Sequence, residues 1–133
     1  MSLIVADTSA IVDYLFRAEG AEALDEIMDA PENELHVPEV CDIEFVSALR
    51  KEIRVGTLAL DEALLILVDY HDLALRRHGH EQLLLRVLEL RDNLSAYEAA
   101  FVAVAERLDA PLLTLDRHLA RAVRAHTNAH VIP

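Results

Sequence analysis

Leu3-Ile4-Val5-Ala6 is a short run with no polar position, and it ends on Asp7-Thr8-Ser9, three residue types that start helices. A strand without polar alternation is buried on both faces, which is the habit of parallel sheets sandwiched by helices. The same figure returns near the other end of the chain, where "PLLTL" closes on Asp116. Between the two, "LHVP" and the alternating "DLALRRH" read as strands, and "AHVIP" as a short last one. Helices are expected over 10–16, 22–30 up to Pro31, 39–56 with Gly56 as the stop, 60–71, 81–92 and 117–126. A further helix opens at Ser95 and runs until Asp109-Ala110-Pro111 breaks it. Strands alternating with helices of this length need crossover connections, so the pattern predicts an α/β fold: a three-layer α/β/α sandwich on a short, mainly parallel sheet of four to five strands.

At 133 residues and 53% hydrophobic composition, the chain is expected to form one domain over 1–133 with a substantial core. The opening "MSLIVADTS" lacks the basic n-region of a signal peptide, and "ALLILV" and "AAFVAVA" are far too short to span a bilayer. A single cysteine, Cys41, excludes an internal disulfide and fits a reducing compartment, so a cytoplasmic protein is expected. Net charge is −12, against a broad electrostatic grip on nucleic acid. Its cations are arginines apart from Lys51, the residue type suited to forked contacts with phosphate or carboxylate.

Ligands of open parallel sheets sit beyond the carboxyl ends of the strands. Asp7 and Asp116 fall there, although each can equally cap the helix that follows it. In "VCDIEFVSALRK", Glu44 lies one helical turn from Val40, Cys41, Ser47 and Ala48, small and mostly apolar neighbours on a stripe that packs inward. Asp42 points elsewhere, toward solvent. Glu98, three residues after Ser95, has capping-box spacing, yet it opens a helix that is apolar almost all round and therefore central. Four acids from four segments, if they converge, repel one another unless a cation joins them. An oxygen-only set suits Mg²⁺ or Mn²⁺.

The ordered set "VADTSAIVDYL", "EFVSALRK" and "LRDNLSAYEAAFVAVAERLDAPLLTLDRHLA" resembles the PIN-domain ribonucleases, particularly the VapC-type toxins of toxin–antitoxin pairs. The resemblance runs through essentially the whole chain. It implies a parallel sheet between helices, a metal site of clustered acids and hydrolysis of RNA phosphodiester bonds. Residue by residue, it makes Asp7, Glu44, Glu98 and Asp116 the catalytic, metal-holding acids. Glu98 stands where the family's "YDA" usually carries aspartate, one methylene shorter, and Asp92 is a second candidate for that position. Thr8, Ser9 and Thr114 flank the acids as supporting hydroxyls, and Asn93 with Arg91 also looks like the family, Arg91 being placed to reach a phosphate. An antitoxin protein partner is implied too.

Metal held by carboxylates activates water and clamps phosphoryl oxygens without a histidine base. His36, His71, His78, His80, His118, His126 and His130 are scattered with no clear pairing, so histidine catalysis is not expected. Arg117, Arg121 and Arg124 share a helix face and Arg76-Arg77 follow a strand, both candidates for RNA backbone. With 5% aromatics and no Trp, extensive base stacking is not expected. The helix carrying "ALLILV" suits either plain core or a contact with the antitoxin and in a homodimer. A signalling receiver domain also gathers acids at strand ends, but its late lysine is missing here. A PIN scaffold that has lost catalysis and binds RNA or protein, and a structure-specific DNA nuclease of the same superfamily, are the remaining alternatives.

Overall fold

The computed structural model describes residues 2–133; Met1, the first residue of the expected domain, lies outside them. Strand β1 (Ser2–Ala6) leads directly into α1 (Thr8–Leu15), and α2 (Glu22–Met28) precedes β2 (Asn33–Pro38). Helices α3 (Val40–Val55) and α4 (Leu60–His71) follow, then β3 (Arg76–His78). A 3₁₀ turn (Glu81–Leu83) joins α5 (Leu84–Glu89), and α6 (Ala96–Leu108), β4 (Leu112–Leu113), α7 (Arg117–His126) and β5 (Val131–Ile132) complete the chain.

The five strands form one parallel sheet in the order β3-β2-β1-β4-β5. Right-handed crossovers then dictate the layers. The chain walks from β1 to β3 in one direction with α1–α4 on one face, and returns to β4 and β5 over the other face with α5, α6 and α7. The expected α/β/α sandwich is the architecture found. Its core is the apolar part of β1, Val37 of β2, Leu112 and Leu113 of β4, and the unbroken stretch Ala99–Ala105 of α6. On the opposite face Phe45 of α3 stacks on Tyr70 of α4 at 4.1 Å between ring centroids, and Phe16 meets Phe45 edge-on at 6.3 Å.

Three local expectations are corrected. The strand expected over 72–78 is confined to Arg76–His78, because Ala74 takes a positive φ of 54° and folds the preceding residues into a turn. Arg76 and Arg77 are thus inside that strand rather than after it. The helix expected over 81–92 is a 3₁₀ turn followed by six α-helical residues, only Leu83 and Leu90 of its leucines being drawn into the core. Finally, "ALLILV" is not plain core: Leu64, Leu65, Leu67 and Val68 are exposed, Leu65 to 69%, since α4 packs through Ala63 and Tyr70. Gly56 does end α3, at φ 85° in the left-handed region.

Candidate active site at the carboxyl edge of the sheet

In a parallel sheet with right-handed crossovers, helices run opposite to the strands, so they begin at the sheet's carboxyl edge. Asp7 follows the last residue of β1, Glu44 lies early in α3, Glu98 is the third residue of α6, and Asp116 is the N-cap of α7. All four acids therefore come to one edge. The strand order reverses between β1 and β4, which opens a crevice there.

Asp7 does not cap α1 with its side chain. It is 8% exposed, and its Oδ2 accepts hydrogen bonds from the hydroxyls of Ser9 and of Thr114, the latter at 3.0 Å. The register makes this second bond possible: Ala6 pairs with Leu113, so the residues that follow them are neighbours. Burial pushes the Asp7 carboxyl above its ordinary range; the two hydroxyls oppose that push, and the Asp116 charge adds to it. Thr114 Oγ1 also accepts from the Asp116 amide at 3.0 Å, tying the two strand ends together.

Thr8 turns away from Asp7 and donates to Glu44 Oε1 at 2.8 Å, linking the start of α1 to α3. Glu44 is half-buried, as the apolar stripe predicts, and its carboxyl is pushed up by burial, then by the charges of Asp7 and Glu98, with the Thr8 hydroxyl opposing. Glu98 completes the capping box: its Oε1 accepts from the Ser95 amide at 2.9 Å, while Ser95 Oγ accepts from the Glu98 amide at 3.1 Å. Asp116 Oδ1 accepts from the amides of His118 and Leu119 at 2.9 and 3.1 Å. Capping and membership of the acid group are thus not alternatives for these two residues. In each of Glu44, Glu98 and Asp116 one oxygen is anchored, and the other makes no hydrogen bond among the described residues.

None of the four acids has an ion-pair partner among the described residues, although Asp25, Glu34, Asp42, Glu89 and Glu106 all do. No three His, Cys, Asp or Glu side chains among the described residues close around a common ion position. Mg²⁺ is commonly held by one or two carboxylates with waters filling the rest of its shell, so an open, all-oxygen edge fits such an ion. Cys41 is no rival ligand: it is fully buried, its Sγ lies 3.4 Å from Thr8 Oγ1, and burial lifts its thiol to about 11.

Asp92, Asn93 and Arg91 are exposed on the turn before Ser95. Asp92 has no part in the hydrogen bonds of the group, and it is Glu98 whose charge reaches Glu44. Arg91 donates to the Leu88 carbonyl at 3.2 Å. Two pairings escaped the sequence. His36 Nδ1 and His78 Nε2 lie 2.8 Å apart, with His36 Nε2 2.7 Å from Glu34, so the histidines are not all scattered. Asp42 is not simply solvated either: it accepts from Tyr70 Oη at 2.6 Å and pairs with Arg77 at 2.8 Å. Both pairings cross between strands or helices far apart in sequence, and neither leaves a motif to read.

The PIN domain family model matches residues 4–125. The chain is 34% identical over 131 residues to the VapC ribonuclease Mb0985 of Mycobacterium bovis, covering 98% of this chain and 99% of that one. Its fold matches PAE2754 of Pyrobaculum aerophilum with a TM-score of 0.71 at 22% identity, over 98% of this chain and 83% of that one. It also matches VapBC2 of Rickettsia felis, solved bound to a DNA fragment from its promoter, with a TM-score of 0.71 at 12% identity, over 98% and 97% of the two chains. The chain belongs to the PIN-domain family, among its VapC ribonucleases.

Proposed function

We propose that this protein is a divalent-metal-dependent endoribonuclease, the toxin of a toxin–antitoxin pair, acting in the cytoplasm. The observation that carries the reading is the edge of four carboxylates without a cation partner, three of them with one oxygen anchored and one free. Asp7, Glu44, Glu98 and Asp116 would hold Mg²⁺ or Mn²⁺ directly or through water, Glu98 being favoured over Asp92 by its charge coupling to Glu44. A bound divalent ion supplies positive charge that acidifies water and stabilises the phosphoryl oxygens. The chain's own part is positioning. Thr114 and Ser9 aim the Asp7 carboxylate, Thr8 aims Glu44, and the helix amides fix Asp116 and Glu98 so that little reorganisation is needed.

The VapC name of the Mycobacterium relative and the VapBC2 assembly support RNA as substrate and an antitoxin as partner. The exposed leucines of α4, and Leu84, Leu85 and Leu88 of α5, offer apolar area for the antitoxin and for a homodimer contact.

The test is cleavage of RNA by the purified, partner-free protein. Activity is expected with Mn²⁺ or Mg²⁺ and not with EDTA. Asp7→Asn is expected to lose more than about a hundred-fold, and Thr114→Val about ten- to a hundred-fold, the scale for a group that orients a metal ligand. Cleavage that persists in EDTA, or in Asp7→Asn, overturns the reading.

A further inference from the structure

Of the chain's twelve cationic side chains, Arg17, Arg76, Arg77 and Arg86 are held by carboxylates. Helix α7, "RHLARAVRAH", is different in kind: it has three arginines and no acid, in a chain of net charge −12. Arg117, Arg121 and Arg124 recur at spacings of four and three, so they share one face. All three are exposed, none has an ion-pair partner among the described residues, and with Ala120 they line one shallow groove. The opposite face, Leu119 and Val123, is buried and fixes the helix in place.

The placement of this face matters as much as its charge. Asp116, the N-cap of α7, belongs to the acid edge, so the arginine row begins beside the site and leads away from it. At 1.5 Å rise per residue, Arg117 to Arg124 span about 10 Å along the helix. An acidic protein that holds a polyanion needs its cations unpaired, in a row and off the acid cluster itself. Forked guanidinium groups bind phosphate oxygens without reading the bases.

We propose that the arginine face of α7 is a phosphate track that holds the RNA strand on one side of the scissile bond. The proposal rests on the nuclease reading of the acid edge and adds where the substrate runs. Arg121 and Arg124 are positioning residues, about one and two helical turns from the site.

The experiment compares Arg121→Ala/Arg124→Ala with Arg121→Lys/Arg124→Lys, each in the cleavage-disabled Asp7→Asn chain, for binding of a fluorescein-labelled single-stranded RNA at 50, 100 and 200 mM KCl. The alanine pair is expected to weaken binding about tenfold or more at low salt and to flatten the log–log salt slope by about 1.4, two phosphate contacts at about 0.7 each. The lysine pair is expected to keep most of the slope, because it keeps the charge. In the otherwise native chain the alanine pair is expected to raise KM with kcat within about twofold. Unchanged affinity and slope in the alanine pair, or no salt-dependent RNA binding by the parent, overturns the track. The nuclease reading is scored separately: if the native chain cleaves RNA with Mn²⁺ while the alanine pair leaves KM unchanged, the track fails and the nuclease stands. An acidic peptide that binds the face while RNA ignores it likewise overturns the proposal.

Discussion

Asp7 is a carboxylate placed where its charge is least comfortable. It is buried, it has two hydroxyls but no cation, and another acid stands near enough to push it further up. A carboxyl whose folded pKa is above its unfolded value of 3.8 binds more protons folded than unfolded, so its contribution to stability falls as pH rises above 3.8. At neutral pH without metal, Asp7→Asn is therefore expected to melt higher than the native chain, by about 2–5 °C for each kcal/mol of relieved charge burial. Scanning calorimetry in EDTA checks this. A lower melting point would mean that the carboxylate is serving the fold. That Asp7 is no simple cap was not legible in "VADTS", because the hydroxyl that redirects it, Thr114, is 107 residues away. Glu44 was more legible: its apolar helical neighbours already placed it facing inward.

Among the elements, β3 is a weak one, as is the two-residue β5 at the opposite edge. β3 is three residues long, it lies at the sheet edge, and its inner contact is the His36–His78 pair, with Arg76 reaching Glu34 at 3.4 Å. Burial lowers the His78 pKa below 6.5, and the charges of His36 and Arg107 lower it further. The sign then follows: the folded chain binds fewer protons than the unfolded one, so stability is complete above about pH 6.5 and is lost as pH falls below it. Amide exchange in β3, corrected for intrinsic rates, is expected to lose protection between pH 7 and 5.5, and His78→Gln to flatten that dependence. The α1–α3–α4 face is the strong one. Phe45 is fully buried between Phe16 and Tyr70, and Phe45→Ala is expected to cost about 3–5 kcal/mol in denaturant unfolding. α3 was legible because it repeats its apolar positions at helical spacing, and α6 because a capping box opens its long apolar run and Asp109-Ala110-Pro111 closes it. β3 was not, since the alternation of "DLALRRH" runs through the turn at Ala74.

At the scale of the whole molecule, the acid edge is the product of topology. Each acid is set by its own element, but only the 3-2-1-4-5 strand order brings those elements to one crevice. An ion that binds the folded edge and not the unfolded chain stabilises by mass action, about 2.7 kcal/mol at a hundred times its Kd. Mn²⁺ is therefore expected to raise the melting point of the native chain, and to raise that of Asp7→Asn much less. Equal shifts in the two would show an ion binding elsewhere.

The sequence by itself determined the alternation of strand and helix, the parallel sheet, the apolar body of α6 and the candidate acids, because these are properties of near neighbours along the chain: periodicity, turn residues and apolar runs. The tertiary structure decided which acids share a crevice, which hydroxyl serves which carboxylate, that His36 meets His78, and that the leucines of α4 face outward. These are contacts across tens of residues. Burial and charge coupling depend on what packs against a group, and that is fixed only when the crossovers have placed every element against its neighbours.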